Sequence, residues 1–140
     1  MHEPTALPIH PDQHHVFLAP DGRAEIVPGG DAFWSLGEQA LQRFDAGWLV
    51  SEFECRSDWP NWEMHPLGDE FVYLLSGEVE LLLELGTGLR TVALNGRGAI
   101  VVPKGVWHTA RVFEPSRMLF VTLGGGTQHR PVGPGDAAAG

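Results

Sequence analysis

Two short stretches of the chain concentrate side chains that can hold a cation. The first reads Glu63-Met64-His65-Pro66-Leu67-Gly68-Asp69-Glu70, with Gly77 seven residues further on. The second reads Pro103-Lys104-Gly105-Val106-Trp107-His108. His65 and His108 offer neutral imidazole nitrogens, and Glu63 and Glu70 offer hard carboxylate oxygens, the donor mix that suits a divalent transition metal. Glu63 and His65 are two residues apart, so an extended backbone turns both to one face. Glu70 opens an apolar run and shares its face with Val72 and Leu74, while His108 shares its face with Val106, Ala110 and Val112. If those faces line one interior, two imidazoles and one or two carboxylates meet in an otherwise apolar space. Unpartnered, such groups are costly to bury, and a bound ion offsets that cost.

The elements that must bring them together read as strands. The 18 glycines and 11 prolines are spread along the chain as punctuation between short β-branched or aromatic runs, the pattern of an all-β domain. Strands are expected at 45–56, 70–75, 78–85, 89–94, 99–102, 106–113 and 117–123. Gly86-Thr87-Gly88 makes a hairpin, and Asn95-Gly96-Arg97-Gly98 a further turn. Residues 1–32, with prolines at 4, 8, 11, 20 and 28, read as an extended arm with one edge strand near 23–27. Residues 33–40 fit a turn of helix or another edge strand. Residues 33–124 form the barrel, and Gly124-Gly125-Gly126 ends it, leaving 125–140 as a flexible tail. Many short strands without a substantial helix imply a small barrel or jelly roll, with every second residue facing inward.

The two stretches resemble the paired signature motifs of the cupin superfamily. His65, Glu70 and Gly77 match the second histidine, the glutamate and the closing glycine of the first motif. Pro103, Gly105 and His108 match the second motif. The resemblance spans roughly residues 45–124 and implies a single all-β domain, a cupin-type jelly-roll barrel (double-stranded β-helix) that commonly forms a homodimer. It also implies one divalent transition metal (Fe, Mn, Ni or Zn) held by His65, Glu70 and His108. The chain departs from the pattern where Glu63 replaces the first histidine, where Gly96-Arg97-Gly98 replaces a Gly-Asp turn, and where Val112 takes a usual asparagine position. Glu63 is then a fourth metal ligand, or a catalytic base beside a two-histidine, one-carboxylate triad of the kind used by non-haem iron oxygenases.

Charge and composition narrow the partners. A net charge of -9 argues against nucleic acid and anionic membrane surfaces. No apolar run reaches transmembrane length, and residues 1–6 lack a basic segment followed by an apolar one, so the expectation is a cytoplasmic protein. Cys55 alone builds no disulfide and reads as an apolar filler. Trp48, Trp59, Trp62 and Trp107 lie in or beside the strands, as core, dimer interface or the mouth of an aromatic-binding site. Tyr73 reads as structural. Asn61 and Glu52 are weak candidates for polar contacts in the cavity, and His2, His10, His14, His15 and His129 read as exposed residues of the arms.

The functional expectation is a metal-dependent enzyme acting on a small organic molecule, by dioxygenase-like or isomerase/lyase-like chemistry. The alternatives are a non-catalytic module that binds a metabolite or metal, and a metal-free structural barrel. In the last, His65 and His108 are hydrogen-bonded core residues and Glu70 pairs with Arg111 or Lys104.

Overall fold

The computed structural model describes residues 8–134. In order along the chain come β1 (His14–Leu18), β2 (Ala24–Pro28), α1 (Asp31–Trp34), α2 (Glu38–Leu41) and a 3-10 turn at Gln42–Phe44. Then follow β3 (Trp48–Cys55), β4 (Asn61–Met64), β5 (Glu70–Leu85), β6 (Gly88–Asn95), β7 (Gly98–Val102), β8 (His108–Thr122) and β9 (Gln128–Pro131). All strand pairs are antiparallel.

β5 and β8 organise the rest, because they pair along their whole lengths and each belongs to two sheets. The first half of β5 and the second half of β8 sit in the order β2-β1-β3-β8-β5-β7. The second half of β5 and the first half of β8 sit in the order β6-β5-β8-β4-β9. The crossing between sheets falls where the register shifts, around Ser76–Glu78 opposite Glu114–Arg117. Side chains from both halves meet in one core, with Val72, Leu74, Val79, Leu81, Ala110, Met118 and Phe120 buried together.

The breaks expected at Ser76-Gly77 and Glu114-Pro115-Ser116 are therefore corners within continuous strands, not strand ends. Gly77 has φ of +101°, and a Cβ there would lie 2.2 Å from Ser116 Oγ, so glycine is required on both counts. Ser116, 1% exposed, ties the corner: its hydroxyl donates to Glu114 O and accepts from Glu78 N–H.

The N-terminal segment also differs from the extended arm expected. β1 and β2 form a hairpin, and β1 adds to the edge of β3. Prolines at 11, 20 and 28 flank these strands without interrupting the alternation of Val16 to Leu18, which is why the spacing of prolines misled. Phe17, Val27, Phe33 and Phe44 form a second buried cluster that holds residues 31–44 against the barrel. His15, read as an exposed arm residue, is fully buried between the rings of Phe33 and Phe53. Residues 128–131, inside the stretch read as a flexible tail, pair with β4. His2 and residues 135–140 lie outside the described residues. Among the described residues, no helix is long and apolar enough to cross a membrane.

Candidate metal centre

His65, Glu70 and His108 are buried at 6%, 4% and 0% exposure, and they come from three separate segments. Glu70 begins β5, His108 begins β8, and His65 follows the last residue of β4, so the site lies where β5 and β8 start and antiparallel β4 ends. Glu63, on β4, pairs across the sheet with His108. One donor atom each from Glu63, His65 and His108 lies within 4.8 Å of the others. Glu70 closes the group, with Oε1 3.1 Å from His108 Nε2 and Oε2 3.4 Å from His65 Nε2. All four side chains singled out by spacing are thus brought together.

The two motifs are also stitched to each other through the backbone. Gly105 N–H donates to His65 O at 2.9 Å, and Lys104 N–H donates to the Asp69 carboxylate at 2.8 Å. Gly105 reaches this position with φ of +78°, which explains the glycine of the second motif. Lys104 and Arg111 do not reach Glu70; Arg111 sits 3.8 Å from Glu80 instead.

The state of each imidazole follows from its other nitrogen. His108 Nδ1 lies 3.1 Å from Val106 O, a group that only accepts, so Nδ1 carries the proton. His65 Nδ1 lies 2.7 Å from Thr127 Oγ1, whose own proton goes to Gly124 O at 2.8 Å. Thr127 therefore accepts, and His65 Nδ1 carries the proton as well. As neutral rings, both histidines then present Nε2 lone pairs toward the Glu70 carboxylate. Lone pairs facing a carboxylate require a positive charge between them, either a second proton or a cation. His65 Nε2 is buried and off the line of any hydrogen bond, an orphaned acceptor of the kind a metal ion satisfies.

Electrostatics at the centre agree. Burial pushes the Glu70 carboxyl up, but the hydrogen bond to His108, the adjacent His65 and the charges of both rings outweigh it, holding Glu70 at about 2. Burial pulls His108 down, whereas the hydrogen bond and charge of Glu70 carry it above its ordinary value. Thr122 donates to Glu70 Oε2 at 2.6 Å and fixes the carboxylate from behind. Two imidazoles and two carboxylates, each oriented by an outer partner, fit iron, manganese, nickel or zinc in donor type and number.

The sequence reading did not single out Thr122 or Thr127, and it took His129, which is exposed as expected, for a residue of the tail with no part in the site. Thr127 follows Gly124-Gly125-Gly126, read as a domain end. A Cβ on Gly125 would meet Asp45 O at 2.8 Å, so the glycines allow the chain to pass close and deliver the Thr127 hydroxyl to His65. His129 on β9 faces Glu63, with Nε2 3.3 Å from Oε1. Only a β-type reading of residues 128–131 could have found it.

Glu63, His65 and Glu70 line a cavity of about 970 Å³, which residues of the 33–45 segment also line; His108, fully buried, lies behind them. Asn61 and Trp59 line it. Glu52 does not, being ion-paired to Arg117 at 2.8 Å. Trp62 is buried, with Arg130 over its ring and over that of Trp107. Tyr73 accepts a hydrogen bond from Arg97. Burial pushes the Cys55 thiol up, the opposite of an activated nucleophile.

No family model and no curated protein matches the chain by sequence. Solved structures do. A cupin-2 domain containing protein from Shewanella frigidimarina NCIMB 400 is 17% identical, over 54% of this chain and 69% of its own, with a TM-score of 0.47. Hydroquinone 1,2-dioxygenase from Sphingomonas sp. TTNP3 is 18% identical, over 52% and 57%, with a TM-score of 0.45. Peruvianin-I, a cysteine peptidase from Thevetia peruviana latex, is 12% identical, over 62% and 56%, with a TM-score of 0.50. The match spans little more than half the length of the last two. At these identities the likeness is one of fold. The two sheets that share β5 and β8 make this fold an all-β, double-sheet barrel.

Proposed function

We propose that the protein is a divalent-metal-binding, single-domain cupin and a metal-dependent enzyme acting on a small organic molecule. The observation that carries this reading is the pair of Nε2 lone pairs, aimed by Thr127 and the Val106 carbonyl at two carboxylates beside a large cavity. His65, His108 and Glu70 would hold the ion, and Glu63 would act as fourth ligand or as base. A bound divalent ion would supply Lewis acidity or oxygen activation, for isomerase/lyase-like or dioxygenase-like chemistry.

The chain's own residues have separable tasks. Thr122 holds the Glu70 carboxylate oriented, and Thr127 and Val106 hold the two rings in one tautomer. The apolar rings of Phe53, Trp59 and Phe120 displace water beside the site. Glu63 is the most open of the four, with its side chain 31% exposed, and is placed to meet substrate arriving through the cavity.

The assembly in this reading is a homodimer. Val101, Phe71, Val121, Val50, Val16 and Ile26 are register neighbours across the outer face of one sheet, an apolar row for a second copy to cover.

Elemental analysis of protein purified without a tag or chelator tests the metal. About one equivalent is expected in the wild type, lost in His65→Ala and in His108→Ala. A wild type that stays empty after reconstitution with iron, manganese, nickel and zinc refutes the reading. Oxygen uptake dependent on added iron then separates dioxygenase-like from isomerase-like chemistry.

A further inference from the structure

The walls of the cavity carry an asymmetry of charge that bears on what can enter it. Among the described residues that line it, five are carboxylates (Glu38, Asp45, Glu54, Glu63 and Glu70), and none is lysine or arginine. The arginines of the neighbourhood are already paired and none is itself in the lining. Arg43 pairs with Glu25 at 2.7 Å and Arg117 with Glu52 at 2.8 Å, while Arg56 at 3.0 Å and Arg117 at 3.7 Å reach the lining carboxylate Glu54 from outside, which leaves Glu38, Asp45, Glu63 and Glu70 without an arginine partner among the described residues. The remaining surface is dominated by rings and aliphatic chains. Phe53, Trp59 and Phe120 stand in mutual contact, with Phe53–Phe120 and Trp59–Phe120 centroids 6.2 and 5.8 Å apart, and the Trp59 ring is 6.4 Å from that of His108. Leu41, Phe44 and Leu49 complete the apolar wall.

From this we infer that the ligand of the cavity is an uncharged, largely apolar molecule that carries an aromatic ring. Its hydroxyl or ketone oxygen is directed to the metal centre, and carboxylates and phosphates are excluded. The reasoning is one of pairing. An anion leaving water needs a fixed cation or several donors, and burying it unpaired is costly. A divalent ion at the centre is balanced by Glu63 and Glu70, so it leaves no net positive charge for an anionic ligand. An acidic rim at Glu38 and Asp45, both exposed, repels anions before they arrive. An apolar ring loses nothing by entering and gains contact with Trp59, Phe53 and Phe120. The oxygen's destination rests on the metal reading above; the preference for an uncharged ring does not.

The test compares two molecules of similar shape, 2-naphthol and 2-naphthoate, by isothermal titration calorimetry on the full chain near neutral pH. Each is titrated into chelator-treated protein and into zinc-loaded protein. Naphthol is expected to bind at least about tenfold more tightly in both states, which corresponds to about 1.4 kcal/mol. Gln42→Arg places a cation on the lining at an exposed position and is expected to shift the naphthoate-to-naphthol affinity ratio by about fivefold or more in favour of naphthoate; an unchanged ratio overturns the charge argument. Naphthoate binding as tightly as naphthol in either state overturns the inference. So does the absence of naphthol binding up to about 1 mM. Failure to take up zinc, with the preference for naphthol intact, overturns the metal reading alone.

Discussion

His15 gives the fold a built-in sensitivity to acid whose size can be worked out. The side chain is fully buried. Nδ1 donates to Pro11 O at 3.0 Å, and Nε2 accepts from Gly30 N–H at 3.1 Å, so the ring is held neutral in one tautomer. Burial lowers its pKa from 6.5, with the Pro11 carbonyl offsetting part of the shift. The unfolded chain therefore takes up a proton near pH 6.5 that the folded chain refuses until lower pH. A group of this sign stabilises the fold above the unfolded value and loses that contribution as pH falls toward the folded one. The loss has a ceiling of about 1.4 kcal/mol between roughly pH 7.5 and 5.5, set by one proton per molecule. His15→Gln removes the titration at a cost of about 1–3 kcal/mol at neutral pH, because neither hydrogen bond is fully replaced. Urea unfolding of metal-free wild type and variant at several pH values reads the difference. His108 has the opposite sign, contributing below 6.5 and losing that contribution as pH rises through its raised value, but it is common to both proteins and cancels. The expected result is a wild-type advantage that shrinks on acidification. An advantage that stays constant or grows between those pH values refutes the neutral, buried assignment.

Three further outcomes follow from particular contacts. Gly77→Ala must fit a Cβ against Ser116 at positive φ, and should cost about 2–4 kcal/mol, read as a fall in denaturant midpoint with unchanged slope. Thr127→Val removes the acceptor for His65 Nδ1–H with little change of shape. It should weaken metal binding by about 10–100-fold in a competition titration with a chromogenic chelator, and an unchanged affinity would show that the hydroxyl does not orient the ring. Phe71→Asp, on the outward apolar row, should convert a dimeric mass in light scattering to a monomeric one; a monomeric wild type at micromolar concentration would refute the dimer.

At the start of β8 His108 and Ala110 are buried as expected, but so is Thr109 between them, whose hydroxyl donates to Asn61 O; in β5 period-two patterning placed Glu70, Val72 and Leu74 inward, as the alternating burial shows. That part was legible because one buried face forces alternation. The corners were not. A glycine flanked by apolar runs looks the same whether the strand stops or bends, and only the facing Ser116 shows that Gly77 bends. The burial of His15 was illegible for a related reason. A histidine's burial depends on what lies beside it, and the rings that enclose His15, those of Phe33 and Phe53, come from 18 and 38 residues further along the chain. Thr122 and Thr127 carry no sequence signal as outer partners, because any hydroxyl within reach of a ligand serves.

The placement of those outer partners says why the three buried donors do not depend on residue 63. Each ring is oriented from its far side, by Thr127 on the segment leading to β9 and by a carbonyl in the turn before β8, and neither contact passes through residue 63. Glu70 is likewise fixed by Thr122 at the far end of β8. The three buried donors therefore keep their geometry whatever side chain stands at 63, which lies nearer solvent and faces His129 across the sheet. A carboxylate there adds negative charge to a centre that already holds Glu70, favouring a divalent ion over two protons shared between the rings. Substituting Glu63→Gln should accordingly lower metal affinity while leaving the fold and both histidine tautomers in place. Substituting Glu70→Gln should disturb all three, because it removes the charge that both Nε2 atoms face. Nitrogen-15 NMR of the two imidazoles in metal-free protein distinguishes the cases: unchanged tautomers in Glu63→Gln support the division of labour, and a shifted His65 or His108 tautomer in that variant would refute it.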